Sequence, residues 1–476
     1  MKKKYNRRDF IKNTSSASLA TILSSITAGS FLSSCSQKNK MPSTADSVIL
    51  LWMGGGMAHT ETFDPKEYAP YVKGMDANKM LSTFPKIPTS LDGVFLSEGL
   101  ENIAQTLHKG TLIRSYKAAD IGEILHSRHQ YHWHTSYVPP QSIEVPHIGA
   151  WISKEKGKKV DSMPAFVSLG QRFDLGEGDE LKSFHTAGFL GAEYGPIIIP
   201  EPGKGLDTLS LKGSMNFSRF ESRNKRYREL IEKSELGKHA SDYQMQSFMN
   251  SLENSYKLLK SPSAKAFDLS QLKSDEIKRY DTGTQFGLGC LMAKNLVKGG
   301  ARFVSVSSQY VPFKGWDTHE KGHERVVGMK KMIDRPVANL INDLDQEGLL
   351  ENTMVILASE FSRDSLIEGS NEKKLKKGAK APEVVNDMKF YGLHRHFVDG
   401  CSVMMWGGGL KKGYVHGATA DEKPCSIIKD KIEIEQLHQT IYHAFGIPND
   451  THYTIESRPV YTTPDGTARP ELNLLA

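Results

Sequence analysis

Cysteine is scarce in this chain: four residues in 476, at positions 35, 290, 401 and 425. No two of them are close in sequence, which leaves a disulfide framework and a cysteine-based zinc site without support. Long hydrophobic runs are also missing. The uncharged stretch before residue 35 is rich in Ser, Thr and Ala, too weakly hydrophobic for an uncleaved membrane anchor. Nor is there a surplus of one charge in the body of the chain. The formal net charge is +6, but Lys2, Lys3, Lys4, Arg7, Arg8 and Lys12 against Asp9 place +5 of it before residue 36, leaving about +1 for the rest. That argues against a nucleic-acid partner, which would call for a concentrated basic face. The local run Lys373, Lys374, Lys376, Lys377 and Lys380 reads as a solvated loop.

What is present begins at the N-terminus. Asn6-Arg7-Arg8-Asp9-Phe10-Ile11-Lys12, followed by the uncharged residues 13–34, resembles a twin-arginine export peptide. Leu32-Ser33-Ser34-Cys35 looks like a lipoprotein cleavage box, in which Cys35 is acylated and becomes the first residue of the mature chain. The alternative is a plain soluble export signal with a chance cysteine. The expected organisation is a signal peptide over 1–34, a linker over 35–46 and one domain over 47–476. The expected location is periplasmic or at the cell surface, with a membrane contact through lipid at Cys35.

A hydrophobic content of 38% and 41 glycines fit a globular, loop-rich, enzyme-like chain. Short apolar runs over Ser47 to Met53, Thr111 to Ser115, Ala301 to Ser308, Met354 to Ala358 and Ser402 to Trp406 read as buried strands, each stopping at a polar or glycine-rich loop. Helical patterns lie between them, a long one over Met215 to Leu259 and others over Thr284 to Lys298 and Val326 to Glu347. Strands alternating with helices predict an α/β fold whose mostly parallel central sheet is covered by helices on both faces. A functional site then belongs at the carboxyl ends of the strands.

Ionisable residues collect at those ends. Gly315-Trp316-Asp317-Thr318-His319 follows the third run, and a carboxylate and an imidazole two residues apart suit a divalent metal. The plainer reading is an Asp capping the next helix beside a solvated His. Convergence favours the metal: His59 and Glu61 follow the first run, His126, Ser127 and His129 the second, Glu360 the fourth, and His394-Arg395-His396 precedes the fifth. With cysteine scarce, imidazole and carboxylate must supply the donors, which points to zinc, manganese or calcium. His132 and His134, in an aromatic-rich stretch of helical period, read as packing residues.

Taken together, Gly55-Gly56 with Thr62-Phe63-Asp64-Pro65-Lys66, Ile148-Gly149-Ala150-Trp151, Gly188-Phe189-Leu190, Gly315 to His319, Glu360-Phe361, and Gly407-Gly408-Gly409 with Gly413 carry a resemblance. The chain resembles, over nearly its whole mature length, the exported family known as domain of unknown function 1501, within the alkaline phosphatase-like and sulfatase-like superfamily. The resemblance implies a single large alkaline phosphatase-like domain holding one or two divalent ions and hydrolysing phosphate or sulfate esters, with a sulfated or phosphorylated glycan among the expected substrates. It also implies a ligand set of Glu61, Asp317, His319, Glu360 and His396. Glu61 stands where the family usually has Asp, and Arg395 where it has a carboxylate, so Arg395 either steadies an anionic ester or replaces a supporting carboxylate. No Cys-x-Pro-Ser-Arg pattern is present, and the nucleophile position falls near His126. That leaves Ser127 activated by metal, or a metal-held water with His126 or His129 as acid or base. The rival reading is a noncatalytic exported protein that keeps the fold to bind a partner or an anionic glycan.

Overall fold

The computed structural model describes residues 41–476 apart from 123, 173–181, 185, 209–215, 235–237, 239, 366–382 and 456. The export peptide, Cys35 and the lysine run at 373–380 lie outside the described residues. Among the described residues, no helix is long and apolar enough to cross a membrane.

The most apolar run makes the centre of the structure. Ser47–Met53 (β1) is buried along its whole length and pairs in parallel with Phe303–Ser308 (β5) on one side and Thr353–Ala358 (β6) on the other. Outward from these lie Gly110–Tyr116 (β2), Phe166–Leu169 (β3), Ile197–Ile199 (β4), Cys401–Trp406 (β9) and Tyr414–His416 (β10). They form one eight-stranded sheet in the order β10-β2-β9-β6-β1-β5-β3-β4. Only β9 runs against its neighbours. The central strands show no polar alternation because both sheet faces are covered. Ile49, Leu51 and Met53 join a core that includes Leu291, Leu340 and Ile341, whereas Val48, Leu50 and Trp52 join one that includes Trp151, Leu437 and Ile441.

The covering helices follow from that division. Gln285–Lys298 (α5) and Gly322–Gln346 (α6) supply the first core. His126–Thr135 (α1), Ile148–Lys156 (α2) and Ile434–Ala444 (α7) lie on the second. The long pattern expected from Met215 to Leu259 is two helices, Phe217–Lys233 (α3) and Asp242–Lys260 (α4), the second opened by a capping box at Ser241 and Gln244. Two-stranded pairing of Ser362–Ser365 (β7) with Leu393–Phe397 (β8) adds an antiparallel ribbon beyond the end of β6. Ahead of β1, Thr44 and Ala45 donate to the Ala444 carbonyl at 2.8 and 2.9 Å, and Asp46 donates to that of Asn352 at 2.8 Å.

Candidate metal centre

The loop leaving β1 must be glycine. Gly55 has φ +123°, and a Cβ there would lie 2.7 Å from the Asp317 nitrogen; Gly56 has φ +81°, and its Cβ would meet the Phe361 ring at 2.7 Å. This close approach brings the loops after β1, β5 and β6 together at the sheet's carboxyl edge. Into the same space come the first residue of α1, His126, and the β8 residue His396.

Four side chains meet there. His126, Asp317, His319 and His396 each offer one ligand atom, and these atoms all lie within 4.8 Å of one another. The hub is Asp317 Oδ1, 2.8 Å from His319 Nε2 and 3.1 Å from His126 Nε2, while its Oδ2 accepts from the Phe313 backbone N–H at 2.7 Å. Asp317 is buried; the His319 side chain, 39% exposed, marks where the cluster opens to solvent.

The surrounding groups orient these imidazoles. His396 Nδ1 donates to the Ile124 carbonyl at 2.8 Å, so its Nε2 carries the lone pair, buried and without a partner. His126 Nδ1 lies 2.6 Å from Glu360 Oε1, which also accepts from Gly55 N–H at 2.8 Å; Oε2 of Glu360 accepts from Ser359 Oγ at 2.9 Å. A carboxylate behind a histidine fixes the ring and strengthens its outer nitrogen as a donor to metal. Arg363, fully buried, donates to the carbonyls of Gly55 and His394 at 2.8 and 2.6 Å, and to Asp317 Oδ1. Its Nη2 is also 3.2 Å from His126 Nε2.

Electrostatics follow from this packing. Burial alone would raise the Asp317 carboxyl, but hydrogen bonds from His126 and His319 and the Arg363 charge hold it well below the carboxylate range. Glu360 is likewise lowered, burial being outweighed by its bond to His126. Burial, with Arg363 and His126 nearby, pushes His396 down to about 2, so its ring is neutral. For His126, burial opposes protonation while the bonds to Asp317 and Glu360 raise it. Each protonation state of this ring leaves one contact mismatched. Neutral, with its proton given to Glu360, Nε2 sets a lone pair against Asp317 Oδ1; protonated, it sets an N–H against the Arg363 N–H. A cation shared by Nε2 and Oδ1 uses both lone pairs, so the residues present fit a divalent metal.

The structure brings Asp317, His319 and His396 together and redistributes the other expected roles. Glu61 is not beside them. It is buried against Thr83, accepting from the Thr83 N–H at 3.1 Å and hydroxyl at 2.8 Å, with burial raising its pKa and Lys330 opposing this. Glu360 turns its oxygens to His126, Gly55 and Ser359 and stands behind the cluster. His126, expected to act as acid or base, is instead among the candidate ligands. Ser127 is buried in the first turn of α1, and no hydrogen bond links it to the four. His129 points both ring nitrogens at carbonyls, Leu125 at 2.9 Å and Ala119 at 3.1 Å, and its ring packs edge-on to Phe361. Strand alternation sets Arg395 on the other face of the ribbon from His396. Arg363 opposes His396 in the ribbon and Asp364 opposes Arg395, so the two pairs occupy opposite faces. Arg395 is held by Asp364, Nε to Oδ1 at 2.9 Å. His134 packs on Trp52, Trp133 and His147, as expected.

Arg363 and Gln130, which donates to Glu360 at 3.3 Å, had no assigned role in the sequence. For Arg363 the available signal is a charged residue inside a short strand next to Glu360-Phe361.

The family model described as "Protein of unknown function (DUF1501)" matches residues 45–469. No curated protein is matched. Among solved structures the chain is similar to Ps i-CgsB in complex with k-i-k-neocarrahexaose, at 12% identity and a TM-score of 0.36, covering 84% of this chain and 72% of that one. It is also similar to the PsFucS1 sulfatase from Pseudoalteromonas sp., at 12% identity and 0.36, over 92% and 72% of the two chains. A third is the alkaline phosphatase from the Antarctic bacterium TAB5, at 12% identity and 0.31, over 77% and 92%. At such scores the likeness is loose.

Proposed function

The chain belongs to the DUF1501 family, and from that starting point we propose that it is a metal-dependent hydrolase of phosphate or sulfate esters. The observation that carries this reading is the set of three imidazoles and one carboxylate whose atoms converge within 4.8 Å, two of the rings oriented from behind by Glu360 and by the Ile124 carbonyl. His126, Asp317, His319 and His396 would hold one divalent ion. A set dominated by nitrogen favours zinc or manganese over calcium, which prefers oxygen ligands. Such an ion supplies Lewis-acid polarisation of the ester oxygen or activation of a water.

The chain's own residues do the rest. Exposed His319 marks the entrance. α1 begins at His126 with no side-chain cap, so its first-turn N–H groups and dipole favour an anion beside the ligands. Arg363 balances the Asp317 charge and pins the Gly55 loop.

A noncatalytic reading is favoured by one observation: Arg363 Nη2 itself touches Asp317 Oδ1 and His126 Nε2, so the guanidinium can serve as the cation in a protein that only binds an anionic glycan. Metal analysis of purified protein, followed by assays on generic aryl phosphates and sulfates, separates the two. One bound ion per chain with turnover is expected. Protein that binds no divalent metal and is inert on every ester would overturn the hydrolase reading. The proposal includes export by the twin-arginine route and a lipid at Cys35, supported by the N-terminal sequence. Cys35→Ser should release the protein from membranes and abolish labelling by a fatty-acid probe.

A further inference from the structure

The loop between β5 and Asp317 carries an aromatic ring where the backbone makes one costly. Val311, Pro312, Phe313 and Lys314 form a tight turn, closed by the Lys314 N–H on the Val311 carbonyl at 3.0 Å, with Phe313 at φ +60°. Proline in the second position and a left-handed third residue mark a type II turn, whose third position favours glycine or asparagine. Burial does not offset the strain of a phenylalanine there, since Phe313 is 62% exposed. We propose that this ring is a binding platform at the entrance to the metal-ligand cluster, for the flat apolar face of a ring carried by the ester, whether the CH face of a sugar or an aryl group. This role rests on the hydrolase reading and specifies the organic half of its substrate.

Three contacts tie the platform to the cluster. The Phe313 ring centroid lies 4.9 Å from that of His319, the candidate ligand that opens to solvent, with the planes at 55°. The Phe313 N–H donates to Asp317 Oδ2 at 2.7 Å. Its carbonyl accepts from Arg325 Nη1 at 2.5 Å, and the same nitrogen donates to the Asp317 carbonyl at 3.2 Å. The residue is therefore pinned on both sides to the hub of the cluster, which fixes its backbone relative to the ligand atoms. The same loop lays the half-buried Tyr310 ring on His126, centroids 4.5 Å apart. Of these two rings, Phe313 is the one left open to water.

The chemistry follows from that placement. An ester whose charged oxygens meet the cluster must leave its organic part towards solvent, past His319, because His126 and Asp317 are buried. Phe313 borders that exit. An exposed aromatic face gains by covering apolar surface and by the electrostatics of its π system, with C–H groups or another ring as partner. A sugar can give one face to Phe313 and keep its hydroxyls in water, and an aryl group gains the same stacking. A methyl ester brings no such surface. The ring should therefore act on affinity for the organic group and leave the ion alone.

The test is calorimetric titration of the full chain, loaded with zinc, using three phosphonates whose P–C bond replaces the ester bond: methylphosphonate, benzylphosphonate and the phosphonomethyl analogue of glucose 6-phosphate. At least one ring-bearing probe should bind about three- to tenfold tighter than methylphosphonate, the range one stacked ring contributes. The benzyl and glucose arms distinguish an aryl source from a sugar. Phe313→Ala should abolish that preference while methylphosphonate binding and zinc affinity stay unchanged. Phe313→Gly, which the left-handed backbone accepts, should do the same at the parent's stability in urea unfolding, so a folding defect in the alanine variant does not decide the outcome. Three results overturn the proposal: ring-bearing probes no tighter than methylphosphonate, a preference that survives in both variants, or zinc affinity lost in both, which would make the ring a support for His319. Phosphonate binding without hydrolysis of any ester would count against the hydrolase reading alone, the ring comparison still deciding the platform. Failure of all three phosphonates to bind would sink both.

Discussion

Glu360→Gln isolates the orienting role of a residue that touches His126 and not the converging ligand atoms. The amide can replace the carboxylate almost atom for atom. With its oxygen in the Oε1 position it still accepts from His126 Nδ1 and Gly55 N–H, and its NH₂ then faces Ser359 Oγ. Ser359 can accept there, because its own proton has an alternative acceptor in the Met53 carbonyl at 2.7 Å. The fold should therefore persist. What is lost is charge: a hydrogen bond to a carboxylate contributes about 1.5–3 kcal/mol against about 0.5–1.5 for a neutral pair, a difference of about 1–2 kcal/mol. That agrees with the roughly 10–100-fold loss of metal affinity typical when a group behind a ligating histidine is changed. The assay is competition for zinc against a chelating dye, run beside urea unfolding of the metal-free protein. Expected are an affinity lower by about 10–100-fold and metal-free stability within about 1–2 kcal/mol of the parent. Unchanged zinc affinity in a folded Glu360→Gln protein would refute the reasoning, since His126 would then not be a ligand oriented by this carboxylate.

Other perturbations separate the two ribbon faces and the core. Arg395→Gln should leave zinc affinity unaltered in the same competition assay, because its side chain lies on the face away from His396. Arg363→Met should destabilise the metal-free protein by about 3–5 kcal/mol in urea unfolding, since it strands buried Asp317 without its cation. Saturating zinc at about 100 times its Kd should add about 2.7 kcal/mol to the parent and much less to Asp317→Asn, measured as a shift in the urea midpoint. Gly55→Ala should abolish zinc binding in the dye assay, as its Cβ would meet the Asp317 backbone. Burial holds Lys330 near 8, with Glu61, Glu98 and Glu101 opposing. The unfolded chain then binds more protons between about pH 8 and the ordinary lysine range near 10.4, so this residue's contribution rises with pH there. The stability difference between parent and Lys330→Met, followed by urea unfolding, should move in favour of the parent across that window.

The elements were legible where the signal is local. After Ser47 the run Val-Ile-Leu-Leu-Trp-Met has no polar position to turn to water, and the whole became the strand at the centre of the sheet with its expected bounds. Strands near 303–308, 353–358 and 401–406 could be read the same way, and so could the candidate ligands Asp317, His319 and His396. Short strands such as Ile197–Ile199 and the ribbon strands carried no comparable pattern. A four-residue strand holding Arg and Asp gains its stability from pairing with a partner about thirty residues away, which no local window contains.

What the sequence by itself determined was a covered, mostly parallel sheet and a supply of imidazole and carboxylate at its carboxyl edge. Burial of apolar side chains and the direction of each strand are written into neighbouring residues. Only the tertiary structure decided which donors meet. That choice depends on the Gly55-Gly56 backbone touching Asp317 and Phe361, and on the ribbon register that sets His396 with Arg363 and turns Arg395 away. It also depends on the turn that puts Glu360 behind His126, exchanging the roles expected of that pair. Each is a contact between distant segments, fixed by packing once the sheet has formed and invisible to the chain read residue by residue.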